Sequence, residues 1–381
     1  MKLAFYIHIP YCSKRCGYCD FNTYTPTELK ISTGLNQISN SYIDLVIKEI
    51  ELAKLKVKEP VEVSSIFFGG GTPSLMEPVD LGRVITKIKT DFGISSNAEV
   101  TLEVNPDSVD RDKLKLFFEI GVNRLSIGMQ SAVSKVLKIL DRTHNPENVS
   151  KVVNWATDIG FKQISVDLIY GTPGESKEDW QQSIDAALAL PISHISAYAL
   201  IVEPGTKLAA QIKRGELSEL DDDLTAEKYL MADQAFTNAG FYWYELSNWA
   251  KDNSKSRHNL SYWLGDNWLG IGPGAHSHID GERYWNVKHP NLYKEKVEIG
   301  QLPIADSEIL DSNQIESERL MLSIRLTNGI ETKSLNMKQI TDLSGYVESG
   351  HLNHSDWQQG RATLTLNGRL IADRIVREIL L

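Results

Sequence analysis

Six times within its first two hundred residues the chain runs a short β-rich apolar stretch into an amphipathic or turn-rich one, and this repetition restricts the fold more than any other feature. The strand-like stretches are LAFYIHI (3–9), SIFFG (65–69), EVTLEV (99–104), RLSIG (124–128), QISVDLI (163–169) and HISAYAL (194–200), each rich in Val, Ile, Tyr or Phe. Helices are expected between them. NSYIDLVIKEIELAKL (40–55) repeats Ile43, Ile47 and Ile50 at helical spacing, and DRDKLKLFFEIG (110–121) opens on an aspartate cap and closes at a glycine. Strands joined through helical crossovers pair in parallel, so the pattern predicts an α/β fold whose sheet is covered by helices and curls toward a barrel. In such sheets ligand chemistry gathers where strands end and the following loops begin.

The repeat dissolves after about residue 205. A charged helical stretch (218–240) leads into an aromatic-dense segment, 241–281, which holds Trp243, Trp249, Trp263 and Trp268, half of the eight tryptophans. From about 305 the chain reads helix, helix, strand, an Asn-Gly turn and a terminal helix, a small winged-helix-like arrangement. At 381 residues a single core would approach its usual size limit, and these changes of pattern divide the chain into 1–205, 206–304 and 305–381. A formal charge of −10 repels phosphate backbones and anionic membranes. Residues 314–381 carry eight basic and eight acidic side chains, too neutral for a section that reads DNA, so no nucleic-acid partner is expected. The opening MKLAFYIHIP is one strand long, lacks a small-residue cleavage site and runs straight into the cysteines. Neither a secretory signal nor a membrane span is expected there, and the cytoplasm is the expected location.

All three cysteines, Cys12, Cys16 and Cys19, fall in YCSKRCGYCD (11–20), a C-x3-C-x2-C triplet at the carboxyl end of the first strand. An odd number of thiols at such short spacing makes no disulfide framework and agrees with a reducing compartment. Three uses of the triplet stand open. Zinc needs a fourth ligand, for which His8 is close in sequence but lies inside the strand. Dithiol redox catalysis through Cys16 and Cys19 leaves Cys12 idle and lacks a helix beginning at the first thiol. A [4Fe-4S] cubane held by three thiolates keeps one iron free of protein, the corner at which a small chelating molecule can exchange.

The triplet, with Tyr18 before its last cysteine, resembles that of the radical S-adenosylmethionine (SAM) superfamily. The resemblance implies a partial (β/α)6 barrel and a [4Fe-4S] cluster whose open iron takes the amino and carboxylate groups of SAM. The later strand ends extend it. GGGTPS (69–74) lets backbone groups approach a ligand without side-chain obstruction. The third strand ends in LEVNP with Glu103, the fourth in SIGMQS with Gln130 and the fifth in VDLIYGTPGE with Asp167. Taken alone, these polar residues are either contacts to a polar ligand or a hydrogen-bond network inside the barrel. Together with YIHIPYCSKRCGYCDF, LDRTH and SAYALIVEPGT they are similar, over nearly the whole chain, to the oxygen-independent coproporphyrinogen III oxidases and their relatives. By motif position that likeness implies SAM contacts from Tyr6, Tyr18, Gly70, Gly71, Thr72, Glu103, Gln130, Arg142, Asp167 and Ala199, and from His276 in GAHSH.

Two departures separate the chain from the oxidases. They follow the third cysteine with x-Cys, where Phe21 stands here, and they carry a longer segment ahead of the cluster that helps enclose the porphyrinogen, an enclosure that keeps a carbon radical from water. In its short start, its CDF and its aromatic segment the chain instead resembles the HemW-type heme chaperone branch. That branch has an H-N-x-x-Y-W motif, present as His258, Asn259, Tyr262 and Trp263. A neutral imidazole is a good axial donor to heme iron, Tyr ligates or hydrogen-bonds, and Trp offers a flat face to a macrocycle. Residues 258 and 262 share a face if the stretch is helical. An aromatic interdomain core with a capping His-Asn pair would use the same residues. His276 and His278 are secondary candidates for iron contact. The resemblance thus implies a heme carrier that hands heme to acceptor proteins, with cluster and SAM serving regulation, homodimer formation or transfer. The alternative is a radical SAM enzyme acting on a tetrapyrrole.

Overall fold

The structure, a computed structural model, describes residues 1–29, 35–57 and 61–380. Six parallel strands form its centre at the six expected stretches, paired in chain order: β1 (Lys2–Ile9), β2 (Glu62–Gly70), β3 (Ile94–Val104), β4 (Arg124–Gln130), β5 (Gln163–Tyr170) and β6 (His194–Ala199). Helices α1 (Leu35–Ala53), α2 (Pro78–Phe92) and α3 (Arg111–Glu119) follow the first three strands. Helices α4 (Ser134–Ile139) and α5 (Pro146–Ile159) follow β4, α6 (Lys177–Leu188) follows β5, and α7 (Lys207–Lys213) and α8 (Asp222–Asn238) follow β6.

The period-two alternation of a strand explains both the core and the cavity. On β1, Leu3, Phe5, Ile7 and Ile9 are buried in the apolar cluster that also holds Ile43, Val46 and Ile50 of α1. Each fully buried Leu, Ile or Phe contributes about 1.5–3 kcal/mol, which leaves the opposite face of the strand free to be polar. That face presents Tyr6 and His8 on β1, Thr101 and Glu103 on β3, Ser126 on β4, and Ser165 and Asp167 on β5. A closed barrel would fill these inward positions with branched apolar side chains. Here all but His8 line a cavity.

The aromatic-dense segment continues this same sheet at both edges. Strands β7 (Tyr242–Glu245) and β8 (Asn248–Ala250) pair antiparallel beyond β6. Helix α9 (Arg257–Trp263) then crosses the barrel interior, and β9 (Asn267–Ile271) emerges on the other side to pair in parallel with β1. The sheet is completed by β10 (His276–Ile279), β11 (Glu282–Asn286) and, after helix α10 (Pro290–Glu298), β12 (Ile304–Ile309), giving the order β12-β11-β10-β9-β1-β2-β3-β4-β5-β6-β8-β7. Glu99 of β3 fixes α9 by accepting the backbone N–H groups of Arg257 at 3.0 Å and His258 at 2.9 Å, a carboxylate where the helix dipole favours one.

Past β12 come α11 (Ser312–Ser323), β13 (Ile330–Glu331), α12 (Met337–Glu348), α13 (His354–Gln358), β14 (Arg361–Ala362), α14 (Leu366–Leu370) and α15 (Ala372–Leu380). They share a separate apolar cluster that includes Leu320, Ile324, Leu343 and Ile375. Their order runs helix, strand, helix, helix, strand, helix, helix, which differs from the expected helix, helix, strand, turn, helix by the short β13 after the first helix and by a second helix before the second strand. The expected Asn-Gly turn is not a turn. Asn367 and Gly368 lie inside α14, because the Thr365 side chain caps that helix by accepting the Gly368 N–H at 3.1 Å.

Candidate functional site

The strand ends, the cysteine loop and α9 enclose a cavity of about 610 Å3, room for a ligand of ordinary cofactor size, and Cys12, Cys16 and Cys19 all line it. The loop that carries them is tied down from three directions. The Cys12 N–H donates to the Tyr24 carbonyl at 3.0 Å, and the Asn22 Nδ2 amide donates to the Pro273 and Lys288 carbonyls, both at 2.9 Å. His8 Nε2 stands 2.9 Å from the Asn22 carbonyl and its Nδ1 3.0 Å from the Tyr6 hydroxyl. Both nitrogens of the one histidine considered as a zinc ligand are therefore engaged within the protein.

Side-chain hydrogen-bonding groups reach all three thiols, with Thr23 near both Cys19 and Cys12. Thr72 Oγ1 donates to Cys12 Sγ and Arg142 Nη1 to Cys16 Sγ, both at 3.6 Å, and Thr23 Oγ1 lies 4.0 Å from Cys19 Sγ. Burial, reinforced by the other two thiols, pushes the Cys12 thiol up to about 11, and burial also raises Cys19. A metal center would reverse this by taking the three groups as thiolates. Among the described residues no three His, Cys, Asp or Glu side chains converge as the ligands of a single ion would; the three thiolates of a cubane each take a different iron. The Arg142 Nε–H is buried without a partner beside Cys16. This donor set fits a sulfur-rich cluster.

The glycine loop after β2 approaches the cysteine loop backbone to backbone. The Gly71 N–H donates to the Ile9 carbonyl at 2.7 Å and the Thr72 N–H to the Tyr11 carbonyl at 2.9 Å. A Cβ on Gly71 would stand 2.6 Å from the Tyr11 oxygen and 2.8 Å from that of Ile9, so no larger residue fits there without moving main chain. Glu103 accepts the Gly70 N–H at 3.0 Å. Burial, and after it the nearby Asp167, push its carboxyl up to about 8. Burial also raises Asp167, whose two oxygens accept the Ser126 hydroxyl at 3.0 and 2.9 Å. Gln130 sits at a β-bulge with φ +60°, a conformation costly for a side chain other than glycine and characteristic of ligand sites. Tyr18 and Ala199 line the same space.

Of the positions expected to contact SAM, His276 alone lies outside the cavity. It is exposed on β10 and stacks on Trp285 with ring centroids 5.7 Å apart. The reason is topological: β9 and β10 pair antiparallel across residues 272–275, which carries β10 to the far side of β9 from the cavity. His278, on the same strand, packs against Trp268 at 5.0 Å.

The H-N-x-x-Y-W segment forms α9, so His258 and Tyr262 share a face as the spacing requires. His258 is buried, which holds its imidazole neutral with a pKa lowered to about 3. Its Nδ1 lies 2.9 Å from Ser65 Oγ, its Nε2 2.9 Å from the Tyr262 hydroxyl, and its ring stacks on Phe67 at 4.9 Å. Phe67 in turn stacks on Tyr6 at 6.2 Å, so the imidazole and the cysteine end of the cavity are joined by aromatic rings. Asn259 lines the cavity edge and donates to Glu245 Oε1 at 3.0 Å, anchoring α9 to β7. Trp263 is half-buried on another side of α9 and does not reach the cavity.

The cavity wall also contains residues that the sequence did not single out, Thr101, Arg124, Ser126, Ser165 and Ser196, and Ser65 supports His258 from behind it. The Thr101 hydroxyl is buried without a partner. The available signal was the alternation of small polar with large apolar residues along β3 to β6.

The profile of the radical SAM superfamily matches residues 6–187. The heme chaperone HemW of Mycobacterium tuberculosis is 41% identical over 98% of this chain and 94% of its own length. The heme chaperone HemW of Bacillus subtilis is 34% identical over 98% of both. Among solved structures, the coproporphyrinogen III oxidase HemN of Escherichia coli, a radical SAM enzyme, superposes with a TM-score of 0.84 over 99% of this chain and 89% of its own, at 21% identity.

Proposed function

Because the chain belongs to the radical SAM superfamily and, within it, to the family of the HemW heme chaperones, we propose that it binds heme and passes it to acceptor proteins while carrying a [4Fe-4S] cluster that coordinates SAM. One observation supports this above the others: the three thiols, the buried His258 and its half-buried partner Tyr262 face a single cavity. Cys12, Cys16 and Cys19 would hold the cluster, which when bound supplies one-electron chemistry and an open iron for the SAM amino acid. Glu103, Asp167 and the backbone of residues 70–72 would receive the charged and hydroxylated groups of SAM. His258, kept neutral by burial and oriented by Ser65, would offer Nε2 to heme iron once the Tyr262 hydroxyl gives up that position. Phe67 and Tyr262 supply flat faces beside it.

In this reading residues 1–205 serve cluster and SAM, 206–304 bring the heme-facing helix, and 305–381 pack alongside. A cytoplasmic location belongs to the same proposal, supported by cysteines that need a reducing compartment; among the described residues no helix is long and apolar enough to cross a membrane. A homodimer belongs to the same proposal, and light scattering on the reconstituted protein tests it. The decisive experiment is anaerobic reconstitution followed by heme titration and by incubation with SAM, reductant and coproporphyrinogen III. A stable Soret band that is lost in His258→Ala, with no decarboxylated product, is the expected result. Protoporphyrinogen formation would overturn it in favor of an enzyme.

A further inference from the structure

We propose that Arg142, Thr72 and Thr23 set the reduction potential of the cluster by supplying side-chain donors to its three thiolates, with Arg142 dominant. The proposal rests on the assignment of a cubane to the cysteines. The three side chains come from separate places in the chain, the loop after β2, the loop after α4 and the arm after the last cysteine, yet they converge on the sulfurs: Thr72 at Cys12, Arg142 at Cys16, and Thr23 between Cys19 and Cys12. Thr72 and Thr23 are buried, so their dipoles act with little screening. Arg142 is aimed by a second bond, from Nη2 to the Gly128 carbonyl at 3.0 Å, and its Nε–H has no partner of its own.

The other cations of the neighborhood are engaged elsewhere. Lys14 lies 3.8 Å from Asp141, and Arg15 pairs with Glu28 at 3.2 Å; both are well exposed. Solvent screens their charges, although that of Arg15 still acts on Cys19. Reduction adds one negative charge to the cluster. Hydrogen bonds and a half-buried positive charge at its sulfurs stabilize that reduced form and raise the potential. Arg142, expected from motif position to touch SAM, is thereby given a sulfur to serve as well.

The test is an EPR-monitored titration of the anaerobically reconstituted full chain, in which dithionite delivers one electron to each cluster, with iron and sulfide content measured in parallel. Arg142→Gln removes the charge, Thr72→Val removes a donor without changing shape, and Thr72→Ser restores the donor. The midpoint should move to more negative potential in Arg142→Gln and, by less, in Thr72→Val, and stay at the wild-type value in Thr72→Ser. Unchanged midpoints in Arg142→Gln and Thr72→Val at full iron content would overturn the proposal. Should Arg142→Gln fail to retain a cluster, the Thr72→Val and Thr72→Ser pair decides it. Lack of any four-iron signal in the wild type would defeat the cubane assignment instead.

Discussion

Glu103 is a carboxylic acid placed where its charged form is least stable. It is enclosed, has one N–H donor in Gly70, and stands near the second acid Asp167. Its pKa rises from the ordinary 4.5 to about 8. Between those values the unfolded chain gives up a proton that the folded chain keeps, so folding stability falls as pH rises through this window, by an amount on the order of a few kcal/mol. Glu103→Gln should flatten the decline in melting temperature between pH 5 and pH 8 and melt above the wild type at pH 8. The same change should weaken SAM binding tenfold or more by removing the counter-charge to a cationic ligand, measured by calorimetry on the cluster-loaded protein. A wild-type melting curve independent of pH would refute the first part. Glu103 could be singled out from sequence because it stands near the carboxyl end of a strand, where ligand chemistry gathers in such sheets. Ser65 and Ser126 could not: a serine in a strand is ordinary, and only the folded sheet reveals that their face looks inward.

Among the elements, the six central strands were legible because each is long, apolar and followed by a helix. Strands β7 to β12 were not, for physical reasons. They are three to six residues long, their aromatic composition suits a core as well as a strand, and the partner of β9 is β1, at the other end of the sequence. The cysteine triplet and its loop were plain, but the tie that holds the loop was hidden for the same reason. Asn22 joins it to Pro273 and Lys288, which approach only when β9 to β11 are in place. Two bonds worth about 1 kcal/mol each would slow opening of the loop by about tenfold or more. Asn22→Ala is therefore expected to lose its cluster roughly that much faster under a chelator, followed as decay of the cluster absorbance. Equal decay in variant and wild type would show that the loop is held by other means.

At the scale of the whole molecule, Arg369 joins the C-terminal helices to the sheet. Its Nη1 donates to Asp233 at 2.7 Å and lies 3.3 Å from the Tyr229 hydroxyl, while its guanidinium covers the Trp243 ring at 4.5 Å. Trp249 donates to the same Asp233 oxygen at 2.9 Å. Removing one partner of a buried ion pair costs about 3–5 kcal/mol, so Arg369→Ala should lower the urea midpoint clearly and expose residues after β12 to limited proteolysis. A midpoint within error of the wild type would mean that apolar packing alone seats those helices. This clamp was not legible in the sequence, since nothing in LNGRLIADR marks its arginine as buried, and the expected division at 305 falls inside β12 of the main sheet. The threading of β1 between β2 and β9 has a temporal meaning. Because β9 begins at Asn267, the ribosome has released most of the polypeptide before β1 acquires its second neighbor, and the thiol-bearing arm is seated only after that. The arm's anchorage is thus a late event in folding, since it needs chain from both ends of the sequence.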